Sequence, residues 1–123
     1  MIATALDVTA LLGTWTNTNP ASKAIVRFDI QSDINADGDK LRVDARFESG
    51  GAATALQTDA FALDHFDGTK AEAFQATVTL DDREIRLQAN IKGGVLVVAL
   101  LTRFPDGSRN NYWLREFYYR SAR

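Results

Sequence analysis

Residues 74–94 read Phe-Gln-Ala-Thr-Val-Thr-Leu-Asp-Asp-Arg-Glu-Ile-Arg-Leu-Gln-Ala-Asn-Ile-Lys-Gly-Gly. Every second position is apolar on each side of Asp81-Asp82: Phe74, Ala76, Val78 and Leu80, then Ile85, Leu87, Ala89 and Ile91. Gln75, Thr77 and Thr79, then Arg86, Gln88, Asn90 and Lys92, fill the places between. A strand turns successive side chains to opposite faces, so this is the pattern of two half-buried strands joined by a tight turn. The same period occurs twice upstream. Ala24, Val26, Phe28 and Ile30 oppose Arg27 and Asp29; Leu41, Val43, Ala45 and Phe47 oppose Arg42, Asp44, Arg46 and Glu48. Four segments would not alternate this cleanly as helices.

Working outward, turn residues separate the strands. Asp37-Gly38, Asp67-Gly68, Asp81-Asp82, Gly93-Gly94 and Pro105-Asp106-Gly107 all lie between apolar segments. Strands are expected near 14–18, 24–32, 40–48, 71–80, 84–92, 95–104 and 110–120, with one or two more inside 52–66. That last region admits two readings. Short strands are expected, but Ala52, Leu56, Ala60 and Leu63 would also share one side of a short helix. Eight to nine antiparallel strands with short connections predict an all-β, up-and-down fold. Closure into a barrel covers the apolar face and removes the sheet edges. A sandwich needs longer cross-over connections than these.

The chain has 123 residues, the size of one domain, so a single barrel domain over 1–123 is expected. Hydrophobic residues make up 46% and charged residues 24%, ordinary for a globular chain. There is no cysteine, which removes disulfides, zinc-thiolate sites and cysteine nucleophiles from consideration. The N-terminus lacks a basic region ahead of its short apolar stretch, and Asp7 interrupts that stretch, so no signal peptide is read and a cytoplasmic location is expected. Net charge is −2, which speaks against nucleic acid as a partner. The longest apolar run, Val95–Leu101, is far too short to span a membrane as a helix.

The first strand opens with Leu11-Leu12-Gly13-Thr14-Trp15, a G-x-W motif after a short helical turn, and the last strand carries Arg115 and Arg120. This resembles the lipocalin-like (calycin) barrels, which include lipocalins, fatty-acid-binding proteins and avidins. Gly13-Thr14-Trp15-Thr16-Asn17 and Trp113-Leu114-Arg115 are also similar to avidin segments. The resemblance implies that Trp15 closes one end of the barrel by packing against Arg115 or Arg120. It also implies a tendency to bind small, mostly apolar molecules. A clear set of polar biotin-contacting residues is missing, as are the cysteines of secreted lipocalins.

Five groups of residues are candidates for function. The inward face would line a ligand cavity through Phe28, Val43, Ala45, Phe74, Ala76, Leu87, Ala89 and Val98, or the phenylalanines would fill the interior. Val95–Leu101 and Tyr112–Tyr119 do not alternate. Their outer faces would form a patch of Val95, Val97, Leu101, Trp113, Phe117 and Tyr119, suited to a homodimer unless the N-terminal segment covers it. Asp33, Asn35, Asp37 and Asp39 match the first half of a calcium loop. Asp44 stands where the closing glutamate should be and Lys40 where a hydrophobic residue should be, so a polar hairpin loop is the favoured reading of the stretch and calcium the lesser one. His65, the one histidine, lies among Asp64 and Asp67 and would be either a general base or an exposed turn residue. The arginines from Arg103 to Arg123, set among aromatics, suit stacking on planar ligands or packing within the fold.

No catalytic residue is assigned and no cofactor is expected beyond that calcium. The sequence therefore supports three functions: a binding barrel for an apolar or aromatic small molecule, a filled barrel acting as a homodimeric interaction module, or a barrel enzyme of the isomerase or cyclase type. The enzyme needs a carboxylate, Tyr112 or His65 directed into the cavity. Glu116, which shares a face with Leu114 and Tyr118, is the best such carboxylate, although Trp113, Arg115 and Phe117 compete for the inward role.

Overall fold

In the computed structural model, which describes residues 7–32, 41–48, 53–61 and 70–122, one single-turn 3-10 helix (Thr9–Leu11) precedes eight strands. These are β1 (Gly13–Asn17), β2 (Ile25–Ser32), β3 (Leu41–Phe47), β4 (Thr54–Phe61), β5 (Ala73–Thr79), β6 (Glu84–Lys92), β7 (Val95–Arg103) and β8 (Tyr112–Ala122). Each strand pairs antiparallel with the next, and β8 pairs with β1, giving a closed up-and-down barrel. Among the described residues every strand has a strand on each side, with β3 and β4 joined over the three pairs Val43–Leu56, Asp44–Ala55 and Ala45–Thr54.

The alternation that identified the strands sorts them into inner and outer faces. On β6, Ile85, Leu87 and Ala89 are buried; on β3, Leu41, Val43 and Ala45 are. Within 52–66, the described residues 53–61 hold one strand, β4, whose Leu56 is buried while Ala55 is exposed. A helix there would leave the ladder edges of β3 and β5 unpaired. β4 satisfies both, with Val43 opposite Leu56 and Ala60 opposite Phe74. The described residues therefore hold eight strands.

Two departures from simple alternation matter. A bulge in β2 places Ile25 opposite Phe47 but Arg27 opposite Arg46, so β2 carries an extra residue at Val26. Ile25 is fully buried and Val26 only half-buried, which breaks the face expected for Ala24, Val26, Phe28 and Ile30. In β7 the alternation was hidden because both faces are apolar. Leu96, Val98, Leu100 and Thr102 point into the core, and Val95, Val97, Ala99 and Leu101 point out.

Glycine is required where the backbone turns to positive φ. Gly93 (φ 61°) and Gly94 (φ 80°) make the β6–β7 hairpin, a turn with both central residues left-handed. Gly13 (φ 126°) swings the chain from the helical turn into β1, which accounts for the glycine of the G-x-W motif.

Candidate functional site

The two ends of the barrel differ. At the end where β1 starts and β8 finishes, Trp15 is only 1% exposed, and its indole Nε1 donates to the Leu11 carbonyl at 3.0 Å. Arg120 lies over the indole with its guanidinium carbon 4.5 Å from the ring centroid, and its Nη2 donates to the Ala10 carbonyl. The 3-10 turn is thus clamped to the barrel by the first and last strands, with Leu11 fully buried beneath it. Asp7 continues across this end to bridge Lys70, and its carbonyl accepts from the Ala71 amide at 2.8 Å. Ala60 and Ile91, on the far side of the same end, stay half-buried.

All eight residues expected to line the interior are buried on inward faces. Phe28 meets Phe74, three strands away, edge-to-face with centroids 6.3 Å apart, and meets Tyr118 at 4.9 Å. Space for these rings comes from alanines beside them: Ala45 opposes Phe28, and Ala89 opposes Phe74. The mid-strand alanines therefore seat aromatic rings that span the barrel at this level.

Toward the other end the inner wall changes character. Phe47, Val78 and Leu114 belong to inward faces but are only partly buried, as is Leu80 at the close of β5. Beneath them the wall turns polar. Glu116, 9% exposed, sits on the inward face of β8 opposite Val98. Ser22, from the β1–β2 connection, donates its hydroxyl to Glu116 Oε1 at 2.5 Å. Tyr118 donates its phenol to the Ile25 carbonyl at 2.6 Å, and Asn17 Nδ2 donates to the same carbonyl at 3.1 Å. Burial, then the Glu116 charge beside it, push the ionisation of Tyr118 far above the usual phenol range, with the Asn17 contact opposing weakly. Tyr118 is a phenol at any physiological pH.

On the same side, the β5–β6 and β7–β8 connections lock together around Phe104. Arg83 and Arg109 stack over its ring at 5.1 and 4.7 Å, and Tyr112 lies 6.2 Å away. Asp82 holds Arg83 through a bidentate pair, and Arg103 pairs with Glu84 at 3.0 Å. The C-terminal arginines so far placed serve the fold.

One assignment is corrected. Arg115 does not help close the barrel; it lies exposed on the outer face opposite Ala99. Arg115 and Arg120 are an odd number of positions apart, so alternation never lets both reach Trp15. The same alternation resolves β8: Leu114, Glu116, Tyr118 and Arg120 face inward, while Trp113, Phe117 and Tyr119 are 62%, 45% and 49% exposed. Opposite these lie Leu101, Val97 and Val95, so the expected outer patch is assembled as a continuous two-strand face. The N-terminal segment from Asp7 to Leu12 crosses the barrel end instead of covering it.

Asp33, Asn35, Asp37, Asp39, His65 and Arg123 lie outside the described residues. Among the described residues, no three His, Asp or Glu side chains gather as a metal site would require. Sequence reasoning missed Asn17 and Ser22. Asn17 was findable, two positions from Trp15 and hence on its face. Ser22 reaches Glu116 across 94 positions from a connection with no periodic signal. Compared with protein-family models, with curated proteins and with solved structures, the chain matches none.

Proposed function

We propose that this chain is a small-molecule-binding barrel of the lipocalin-like kind, taking a ligand with an apolar or aromatic body through the end away from Trp15. One observation carries the reading: at that end three large inward-facing apolar side chains, Phe47, Val78 and Leu114, are only partly buried, above the inward-facing carboxylate of Glu116. At the opposite end Trp15 is sealed under the 3-10 turn, although the smaller Ala60 and the Ile91 side chain are partly buried there too. The stack of Arg120 on Trp15 supports the lipocalin-like assignment, since such barrels share a first-strand tryptophan packed against a last-strand arginine.

The test is a titration with N-phenyl-1-naphthylamine, a neutral probe that fluoresces in apolar surroundings. Saturable one-to-one binding is expected, weakened by Val78→Trp, which narrows the mouth. Absence of saturable binding overturns the reading.

A second property rests on a separate observation, the exposure of Trp113, Phe117 and Tyr119 along one face. This face pairs with a second copy to form a homodimer. Native mass spectrometry reads the oligomer mass and any co-purified molecule together. A monomer at micromolar concentration sinks the dimer and leaves the interior site untouched.

A further inference from the structure

Building on that binding reading, we infer that the interior ligand carries a protonated nitrogen, and that Glu116 is the group that holds it. An ammonium or amidinium on an aromatic or apolar body is the chemical class. The inference starts from the energetics of Glu116. A carboxylate nine-tenths buried among Val98, Tyr118 and Leu114 loses most of its hydration, and proteins normally compensate with a cation or several hydrogen bonds. Here the fold itself compensates only Oε1, and Oε2 is not sealed from solvent. Among the described residues Ser22 supplies the one hydrogen bond, to Oε1, and no lysine or arginine pairs with the carboxylate.

The neighbours able to donate are committed elsewhere. The Tyr118 phenol and the Asn17 amide both donate to the Ile25 carbonyl. Arg120, on the same face of β8, is engaged with Trp15 and Ala10 at the closed end. Arg115, adjacent in sequence, points outward. The fold thus surrounds an acceptor with donors turned away from it, which is the arrangement left when the missing donor arrives with the ligand. Leu114, one step along the same face toward the mouth, is only partly buried and marks the route in. The Phe28 and Tyr118 rings, packed edge to face across the barrel, form the apolar floor below the charge.

The experiment uses three matched probes, 2-phenylethylammonium, 2-phenylethanol and phenylacetate. Each is titrated into the full chain and into Glu116→Gln and followed by amide chemical shifts, with the N-phenyl-1-naphthylamine titration of the unaltered chain run alongside. The ammonium should bind about tenfold or more tightly than the alcohol, phenylacetate more weakly than either, and Glu116→Gln should erase the preference. The comparison within the unaltered chain stands even if the variant folds poorly. Equal affinity for ammonium and alcohol, with the naphthylamine still bound, overturns the role of Glu116 and spares the binding barrel. A preference that survives in a folded Glu116→Gln also overturns it. Failure of every probe, naphthylamine included, removes the binding reading and this inference together.

Discussion

The two ends of the barrel are built from the same strands and reach opposite solutions. At one end an aromatic ring, a guanidinium and a helical turn clamp one another over a sealed Trp15. Toward the other, large apolar side chains are only partly buried, and among the described residues a carboxylate on the inner wall has one hydroxyl as its hydrogen-bond partner. Stability is concentrated where side chains clamp one another, and chemistry is available where a carboxylate on the inner wall stays within reach of solvent. Proteins commonly accept a local stability cost at binding sites.

This contrast can be broken most directly by truncation. Trp15→Ala should cost about 3–5 kcal/mol in denaturant unfolding, since it removes a fully buried ring and releases the 3-10 turn. Val78→Ala at the mouth should cost about 1 kcal/mol, because the site is only partly buried and collapses into solvent. Equal costs would show that the ends do not differ in the way described.

A sharper cut separates two arginines of one strand. Arg120→Leu should lose about 1–2 kcal/mol through the ring contact and the bond to Ala10. Arg115→Ala should stay within about 0.5 kcal/mol of the parent. Similar losses at both positions would contradict the inward and outward faces assigned to β8.

The smallest effect is a pH dependence. Tyr118 ionises far above its ordinary 10.0 in the folded chain, so its contribution is fully present below pH 10 and is lost as pH rises beyond that. Tyr118→Phe should change neutral-pH stability by about 1 kcal/mol, because Asn17 still donates to the Ile25 carbonyl. The variant should also show a flatter decline between pH 10 and roughly 11.5. An identical alkaline slope would mean that Tyr118 is reached by solvent.

How much of this was legible follows from physical contrast along each strand. β3, β5 and β6 carry polar residues on one face, so their inward sets could be read directly from 41–48, 74–80 and 85–92. β8 could not be oriented that way. Trp113, Arg115, Phe117 and Tyr119 on one face, and Leu114, Glu116, Tyr118 and Arg120 on the other, both mix rings with charge. Alternation through Trp15 and its arginine partner would have narrowed the choice but needed the register between β1 and β8. The β2 bulge left no mark in sequence, since Val26 suits either face. β4 was ambiguous because alanine, threonine and leucine tolerate both helix and strand; pairing with β3 and β5 decided it. Ser22 depended on where a connection folds back, a property of the assembled barrel alone.

The seam between β1 and β8 has a consequence for how the protein is made. Thr16 and Ser121, whose hydroxyls meet at 2.8 Å across that seam, are 105 positions apart. During translation β1 emerges before the other seven strands of the barrel and waits for β8, the last of the eight. Until then the barrel is a curled sheet with two open edges and an uncovered greasy lining, the state most prone to mispairing between nascent chains. A stalled or nonsense-truncated message ending before Tyr112 would yield seven strands with no partner for β1, and such products are natural clients for chaperones and proteases.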